Sequence, residues 1–129
     1  MTQRKRILLV DDDRDFAEAT AAVLESVCDV EVAYGGVEAM AKARASKPDL
    51  ILLDVIMPDE DGFAVCDQLK ADPHLADVPV IMLTSLPDGL SPMGQAAKKP
   101  CVEGYLEKPV KPMELLRRVS RLLSERAQN

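Results

Sequence analysis

The sequence has few of the side chains that build base-stacking surfaces, disulfide frameworks and soft-metal sites. Its 129 residues include no Trp, two Tyr, two Phe and one His. So few aromatic rings leave little for stacking nucleic-acid bases, and one histidine excludes the usual histidine-based metal clusters and hydrolytic triads. The three cysteines are far apart in the chain and form no CxxC pair, which favours reduced thiols in a cytoplasmic protein.

Long apolar runs and an excess of basic charge are also missing. The apolar runs are short, as at residues 7–10, whereas a membrane-spanning helix needs about 20 apolar residues. Polar and basic residues follow Met1, where a secretory signal would be apolar. The chain has 16 Lys and Arg against 22 Asp and Glu, a net charge of −6. We therefore expect neither membrane contact nor direct nucleic-acid contact.

The length of the chain suits one domain. A domain of this size buries roughly two-thirds of the surface that its unfolded chain exposes, so it needs no metal or disulfide to fold. We expect residues 1–129 to form a single domain, with its core at about residues 4–125.

Short β-like runs alternate with helix-like segments. The β-like runs are residues 6–10, 30–33, 50–53, 78–83 and, more weakly, 104–106. Three of them are apolar at consecutive positions, as in strands that are covered on both faces of a parallel sheet. The helix-like segments begin near Asp13, Gly36, Asp61 and Pro112. This order predicts an α/β fold of right-handed βαβ units around one parallel sheet.

The first and last of these segments carry apolar stripes, and one further segment does not fit the pattern. The first stripe contains Phe16, Thr20, Val23, Leu24 and Val27. Between Thr84 and Gly104 the proline and glycine residues prevent a long helix, because proline clashes with the preceding turn. We expect a long loop there, followed by a short helix at residues 92–99.

Polar side chains follow the predicted strands where each strand ends. They are Asp11, Asp12, Asp54, Thr84 and Lys108. In an open parallel sheet the carboxyl ends of the strands lie at the same edge, where ligands bind. We therefore expect these five side chains to converge on one small surface pocket.

Three carboxylates in one pocket need a compensating charge. Two like charges 4 Å apart cost ~4 kcal/mol at an effective dielectric of ~20. An all-oxygen donor set favours a hard ion such as Mg²⁺. With the Lys108 ammonium and the Thr84 hydroxyl, such a site could hold a phosphoryl group, and a carboxylate within it could be the nucleophile.

Four stretches resemble the receiver domain of the response regulators of two-component signalling, of the chemotaxis-regulator type. They are ILLVDDD (7–13), PDLILLDVIMPDEDG (48–62), VPVIMLTS (78–85) and YLEKP (105–109). The resemblance implies a flavodoxin-like (βα)5 three-layer sandwich with a five-stranded parallel sheet of order 2-1-3-4-5. The proline-rich segment departs from the family and implies a shortened or irregular fourth helix.

The resemblance assigns the acidic residues to phosphorylation and metal binding. Asp54 matches the phospho-acceptor, which receives its phosphoryl group from a sensor histidine kinase or a histidine phosphotransfer protein. The Mg²⁺ ligands would be Asp11, Asp12, Asp54 and the backbone carbonyl of Ile56. The implied function is a phosphorylation-dependent switch in a phosphorelay, which changes its surface for an unknown downstream effector and is not a turnover enzyme.

The remaining roles concern the phosphoryl oxygens and the switch. Thr84 would contact the phosphoryl group through its hydroxyl, Ser85 through its backbone N–H and Lys108 through its ammonium. The bond between Lys108 and Pro109 is expected to be cis. Tyr105 matches the family's switch aromatic, which turns inward as Thr84 moves toward the phosphate.

Several alternatives stay open. The acids at Asp11 and Asp13 are also typical of aspartate-nucleophile phosphatases, although the small residue that follows that motif is absent. A calcium EF-hand loop fits poorly, because Phe16 stands where glycine is expected. The sequence remains compatible with a stand-alone receiver, a receiver cut from a larger regulator and a scaffold with an unused pocket.

The side chains of Ile56 and Leu86 cannot orient an attacking water, so we also expect slow loss of the phosphoryl group.

Overall fold

Five parallel strands form one sheet. The structure is a computed structural model that describes residues 4–57, 61–84 and 103–127. The strands are β1 (Arg6–Val10), β2 (Asp29–Ala33), β3 (Leu50–Asp54), β4 (Val80–Thr84) and β5 (Gly104–Glu107). Their order across the sheet is β2-β1-β3-β4-β5, and every neighbouring pair is parallel. The expected 2-1-3-4-5 order is therefore confirmed.

Helices cover both faces of this sheet. They are α1 (Arg14–Leu24), α2 (Gly36–Ala45), α3 (Gly62–Ala71) and α4 (Pro112–Ala127). The expected short helix at residues 92–99, which would be the irregular fourth helix of the (βα)5 pattern, lies outside the described residues. The helix labelled α4 here follows β5 and therefore corresponds to the fifth helix of that pattern. No helix in the described ranges is both long and apolar enough to cross a membrane.

The core has two halves, one on each face of the sheet. Side chains alternate along a strand, so Leu8 and Val10 pack on one face with residues of α2 and α3. Ile7 and Leu9 pack on the opposite face with residues of α1 and α4. β3 and β4 are buried along their whole lengths. This arrangement confirms the flavodoxin-like three-layer sandwich.

Aspartate side chains cap the two helices that begin near the carboxyl edge of β1 and β3. Asp13 Oδ1 accepts the backbone N–H of Phe16 at 3.1 Å, and Asp61 Oδ1 accepts that of Phe63 at 2.8 Å. Each cap of this kind contributes about 1 kcal/mol. The caps fix where α1 and α3 begin relative to the strand ends before them.

The first apolar stripe is shorter than the sequence predicts. Helix α1 ends at Leu24, and Val27 lies beyond it with its side chain exposed. The chain turns there because the Cys28 N–H donates to the Leu24 carbonyl and the Arg4 guanidinium donates to the Glu25 and Cys28 carbonyls. The expectation that Val27 continues the buried stripe is therefore wrong.

The single histidine and two of the three cysteines lie within the described residues. His74 lies in an exposed turn between α3 and β4. Cys28 and Cys66 carry buried, reduced thiols, and burial raises the pKa of Cys28. Cys101 lies outside the described residues.

Candidate functional site

The ends of two neighbouring strands bring three carboxylates together. Asp11 directly follows β1, Asp54 ends β3, and the register pairs Val10 with Leu53. Oxygen atoms of Asp11, Asp12 and Asp54 all lie within 4.8 Å of one another. Asp11 has no exposed surface and Asp54 is 6% exposed, whereas Asp12 is open to solvent. The predicted convergence of these acids at the sheet edge is therefore present in the fold.

Lys108 supplies a positive charge to this acidic cluster. Its Nζ lies 2.6 Å from Asp11 Oδ2 and 3.5 Å from Asp54 Oδ1. The side chain is only 16% exposed, so these charges interact with little screening by water. The Lys108 backbone N–H donates to the Thr84 carbonyl at 2.6 Å, which ties the loop after β5 to the end of β4. The peptide bond between Lys108 and Pro109 is cis, the isomer that the resemblance implies.

The surroundings of Asp54 favour its protonated form. Burial, the charge of Asp11 and, to a smaller extent, the charge of Asp12 together raise the pKa of Asp54 to about 6. The Lys108 ammonium and the Ile56 N–H, which donates to Asp54 Oδ1 at 3.4 Å, act in the opposite direction. The negative charge of this pocket is thus only partly compensated by the chain itself.

Gly62 allows α3 to begin directly against the end of β3. A Cβ atom on Gly62 would approach the Val55 Cα to 3.0 Å and the Asp54 carbonyl carbon to 3.1 Å. The Gly62 N–H donates to the Val55 carbonyl at 2.8 Å, and Ile56 and Asp61 form an isolated antiparallel bridge. These contacts bring the chain back toward the acceptor strand. The sequence predicts a helix start near Asp61, but no local pattern indicates this close approach of Gly62 to β3.

Phe16 is a second residue that the sequence analysis did not connect with the site. Its ring centroid lies 4.3 Å from the Lys108 Nζ, on the first turn of α1. The sequence shows an apolar residue at helical spacing, and the half-buried side chain does pack against the core. The contact with Lys108 depends on how α1 meets the loop after β5, which is far away in the chain, so no local signal indicates it.

Of the other predicted residues, Thr84 lies at the same edge, Tyr105 lies nearer the start of its strand, and the rest are outside the described residues. Thr84 ends β4, is buried and stands one residue past Leu83, the register partner of Asp54. Tyr105 of β5 pairs with Met82 of β4. Its side chain is half-buried, and its hydroxyl oxygen is buried. Ser85 and Leu86 are outside the described part of the chain.

The donor set of the acidic cluster suits a hard divalent cation. Each of the three aspartates offers a carboxylate oxygen, and such oxygens are the ligands that Mg²⁺ prefers. A cation there would offset the like charges that raise the pKa of Asp54. Together with the Lys108 ammonium, the cluster presents one buried carboxylate in a strongly polar pocket, which is suited to binding a phosphoryl group.

Comparison with known proteins finds one family across most of the chain. Residues 7–120 match the family described as response regulator receiver domain. The DNA-binding dual master transcriptional regulator RpaA of Synechocystis is 40% identical over 126 residues, which cover 92% of this chain and 48% of that protein. The chain thus spans about half the length of the curated relatives that it matches. Because relatives of this kind are named as DNA-binding regulators, they give no support to the expectation of no nucleic-acid contact.

Solved structures of similar proteins have the same fold. A CheY-like response regulator receiver domain protein from Methanospirillum hungatei superposes with a TM-score of 0.86 at 28% identity and covers 98% of both chains. The signal receiver domain of a signal transduction histidine kinase from Syntrophus aciditrophicus has a TM-score of 0.81 at 36% identity, over 94% of this chain and 91% of that one.

Proposed function

Because the chain belongs to the response regulator receiver domains of two-component systems, we propose that Asp54 accepts a phosphoryl group from a sensor histidine kinase or a histidine phosphotransfer protein. The observation that carries this proposal is the placement of Asp54. Its carboxylate is buried at the end of β3, beside two further carboxylates and 3.5 Å from a lysine ammonium. A structural aspartate gains nothing from such crowding, because the like charges around it raise its pKa and favour its neutral form.

In the proposed transfer, an oxygen of the Asp54 carboxylate attacks the phosphorus atom of phosphohistidine. The new O–P bond forms as the P–N bond breaks, and the bonding electron pair stays on the imidazole nitrogen. Lys108 places its ammonium beside the acceptor oxygen and stabilises the negative charge on the phosphoryl group. Asp11, Asp12 and Asp54 would hold Mg²⁺, which neutralises charge on the phosphoryl oxygens when it is bound. The Ile56 carbonyl and the Ser85 N–H keep the roles that the family resemblance gives them.

The proposed output is a change of surface. Phosphorylation replaces the single charge of the Asp54 carboxylate with a phosphoryl group of about −1.5 to −2 charges, which brings three strong acceptor oxygens to the end of the sheet. Thr84 stands at that end on β4, where it pairs with Glu107 of β5. Tyr105 lies on β5 two residues before Glu107, nearer the start of the strand. Movement of Thr84 toward the phosphoryl group would let Tyr105 change its position and favour the active state. Within this proposal residues 1–129 form one receiver domain, which acts alone or as part of a larger regulator.

Intact-mass analysis after incubation with acetyl phosphate and Mg²⁺ tests the central assignment. We expect a labile phosphoryl adduct on the parent protein and none on Asp54→Asn. Asp77→Asn is the matched control, because Asp77 is a surface residue just before β4 whose side chain pairs with Lys47. An adduct on Asp54→Asn would overturn the assignment. Release of more product than protein from a phosphomonoester would instead favour the phosphatase alternative.

A further inference from the structure

The Lys108 ammonium has a neighbour outside the acidic cluster. The Phe16 ring centroid lies 4.3 Å from Nζ, well inside the range of about 6 Å over which an aromatic face attracts a cation. The position of the ring is itself fixed, because the Phe16 N–H is held by the Asp13 cap and the side chain packs against the core. The ammonium therefore contacts both the Asp11 carboxylate and the face of an aromatic ring that does not depend on Lys108 for its place.

We propose that Phe16 is a positioning residue that holds the Lys108 ammonium inside the pocket and so sets how a divalent cation shares the carboxylates with this lysine. This inference rests on the proposed function, since it assigns a role to Phe16 in the same site. The ring does not touch the reacting atoms. It acts through Lys108, which contacts Asp11 at 2.6 Å and Asp54 at 3.5 Å.

Two positive charges compete for this pocket. Lysine has a flexible four-carbon stem and an ammonium that is strongly attracted to water, so a buried lysine is retained only while its local contacts hold it. The ring occupies one side of the ammonium where water would otherwise stand. If this attraction is weakened, the ammonium can turn toward solvent, and the repulsion between it and a bound divalent cation decreases. The same movement takes positive charge away from the Asp54 oxygen that receives the phosphoryl group.

The proposal therefore predicts two effects of opposite sign. Weakening the ring–ammonium attraction should tighten Mg²⁺ binding to the unphosphorylated protein. It should also slow the formation of the phosphoryl adduct. Loss of packing or partial unfolding would change both measurements in the unfavourable direction, because it would disturb the carboxylates as well as the lysine.

Ring fluorination at position 16 separates attraction from packing. Incorporation of mono-, di- and trifluorophenylalanine at this position weakens the negative face of the ring stepwise, while its shape changes little. Calorimetry with Mg²⁺ alone measures the affinity, and intact mass after acetyl phosphate addition measures the adduct. We expect the Mg²⁺ dissociation constant and the rate of adduct formation both to fall stepwise, by about three- to fivefold for the trifluoro ring. No stepwise change, or weaker Mg²⁺ binding with a slower adduct, would overturn the proposal.

Two controls make the test specific. The same fluorinated series at Phe63, the other phenylalanine of the chain, should change neither measurement, because Phe63 packs in the core on the opposite face of the sheet. In a Lys108→Met background the Phe16 series should lose its effect on Mg²⁺ affinity, and an effect that persists would contradict the proposal.

If Mg²⁺ affinity responds stepwise but the parent forms no adduct, the positioning role stands and the proposed phosphorylation fails. If the adduct forms and nothing responds to fluorination, the positioning role fails alone.

Discussion

The ammonium of Lys108 lies 2.6 Å from Oδ2 of Asp11, an aspartate with no exposed surface. The two residues are 97 positions apart, so the contact joins the loop after β5 to the end of β1 across the sheet edge. Asp11 also accepts the Asp13 N–H through its other oxygen, at 3.0 Å. Asp11 is thereby held by both oxygens, and Lys108 is the cation nearest to it among the residues that the structure describes.

Lys108→Ala removes the ammonium and leaves two buried carboxylates uncompensated. We expect the free energy of unfolding at pH 8 without divalent ions to fall by about 3 kcal/mol. This is the typical cost of removing one partner of a buried ion pair, because the other charge is left uncompensated. The loss should be smaller at pH 5, where Asp54, with its pKa of about 6, takes up a proton. Urea unfolding at both pH values measures this. The variant should still accept a phosphoryl group from acetyl phosphate but signal poorly through its partners.

Lys111→Ala is the control for that experiment. Lys111 is exposed, and its backbone carbonyl accepts the Leu115 N–H at 2.9 Å. Its replacement should change stability by less than about 0.5 kcal/mol at either pH. Equal losses for the two lysine variants at pH 8 would contradict a special role for the contact between Lys108 and Asp11.

The pKa of Asp54 predicts that the metal-free protein becomes less stable as the pH rises toward neutrality. The folded protein holds the Asp54 proton up to a pKa of about 6, whereas the unfolded chain releases it near 3.8. The stability that this proton contributes is therefore fully present below about pH 3.8 and is lost as the pH rises through about 6. The difference corresponds to about 3 kcal/mol.

Denaturation between pH 4.5 and 7.5 in the presence of a chelator measures this effect. The stability of the parent should fall relative to that of Asp54→Asn as the pH rises, and Asp77→Asn should follow the parent. Parallel curves for the parent and Asp54→Asn would contradict the raised pKa. Excess Mg²⁺ should reduce the loss at high pH, since a ligand that binds only the folded state stabilises it.

Much of the fold is predictable from local patterns. The bounds of β1 are those of the β-like run at residues 6–10, because a strand buried on both faces is apolar over most of its length, here at residues 7–10 after the exposed Arg6. The caps Asp13 and Asp61 are local signals of the same kind. The end of α1 was missed, because the chain turns at Leu24 through contacts with Arg4 that lie outside the helix.

The acidic part of the site was predictable for a topological reason, whereas its finer contacts were not. The carboxyl ends of parallel strands must meet at one edge, so the position of Asp11 and Asp54 after two strands brings them together. No such rule predicts that Phe16 lies over Lys108 or that Gly62 touches the Asp54 backbone. Those contacts depend on how α1 and α3 approach the sheet.

Gly62→Ala tests the close approach of α3 to β3. The added Cβ would meet backbone atoms of Asp54 and Val55, which cannot move aside as a flexible side chain can. We expect a loss of about 1–3 kcal/mol in the free energy of unfolding and slower adduct formation, because the acceptor backbone must shift. Gly35→Ala is the matched control. Gly35 also stands at a helix start, as the residue just before α2, and a Cβ there would meet no atom within 4 Å. If both alanines have the same effect on adduct formation, the contact has no bearing on the site.

Ile56 predicts a long-lived phosphoryl group. Its side chain is 54% exposed two residues after the acceptor, and it can neither donate nor accept a hydrogen bond to an attacking water. Ile56→Asn should speed loss of the phosphoryl group by about tenfold. This acceleration is smaller than the range for general acid–base catalysis, because the asparagine amide can orient the attacking water but does not take its proton. Val37→Asn, at a hydrophobic residue that is 84% exposed on α2, should leave the decay unchanged. Decay of the purified adduct in Mg²⁺ measures the rate, and no acceleration even with Leu86→Glu added would refute the explanation.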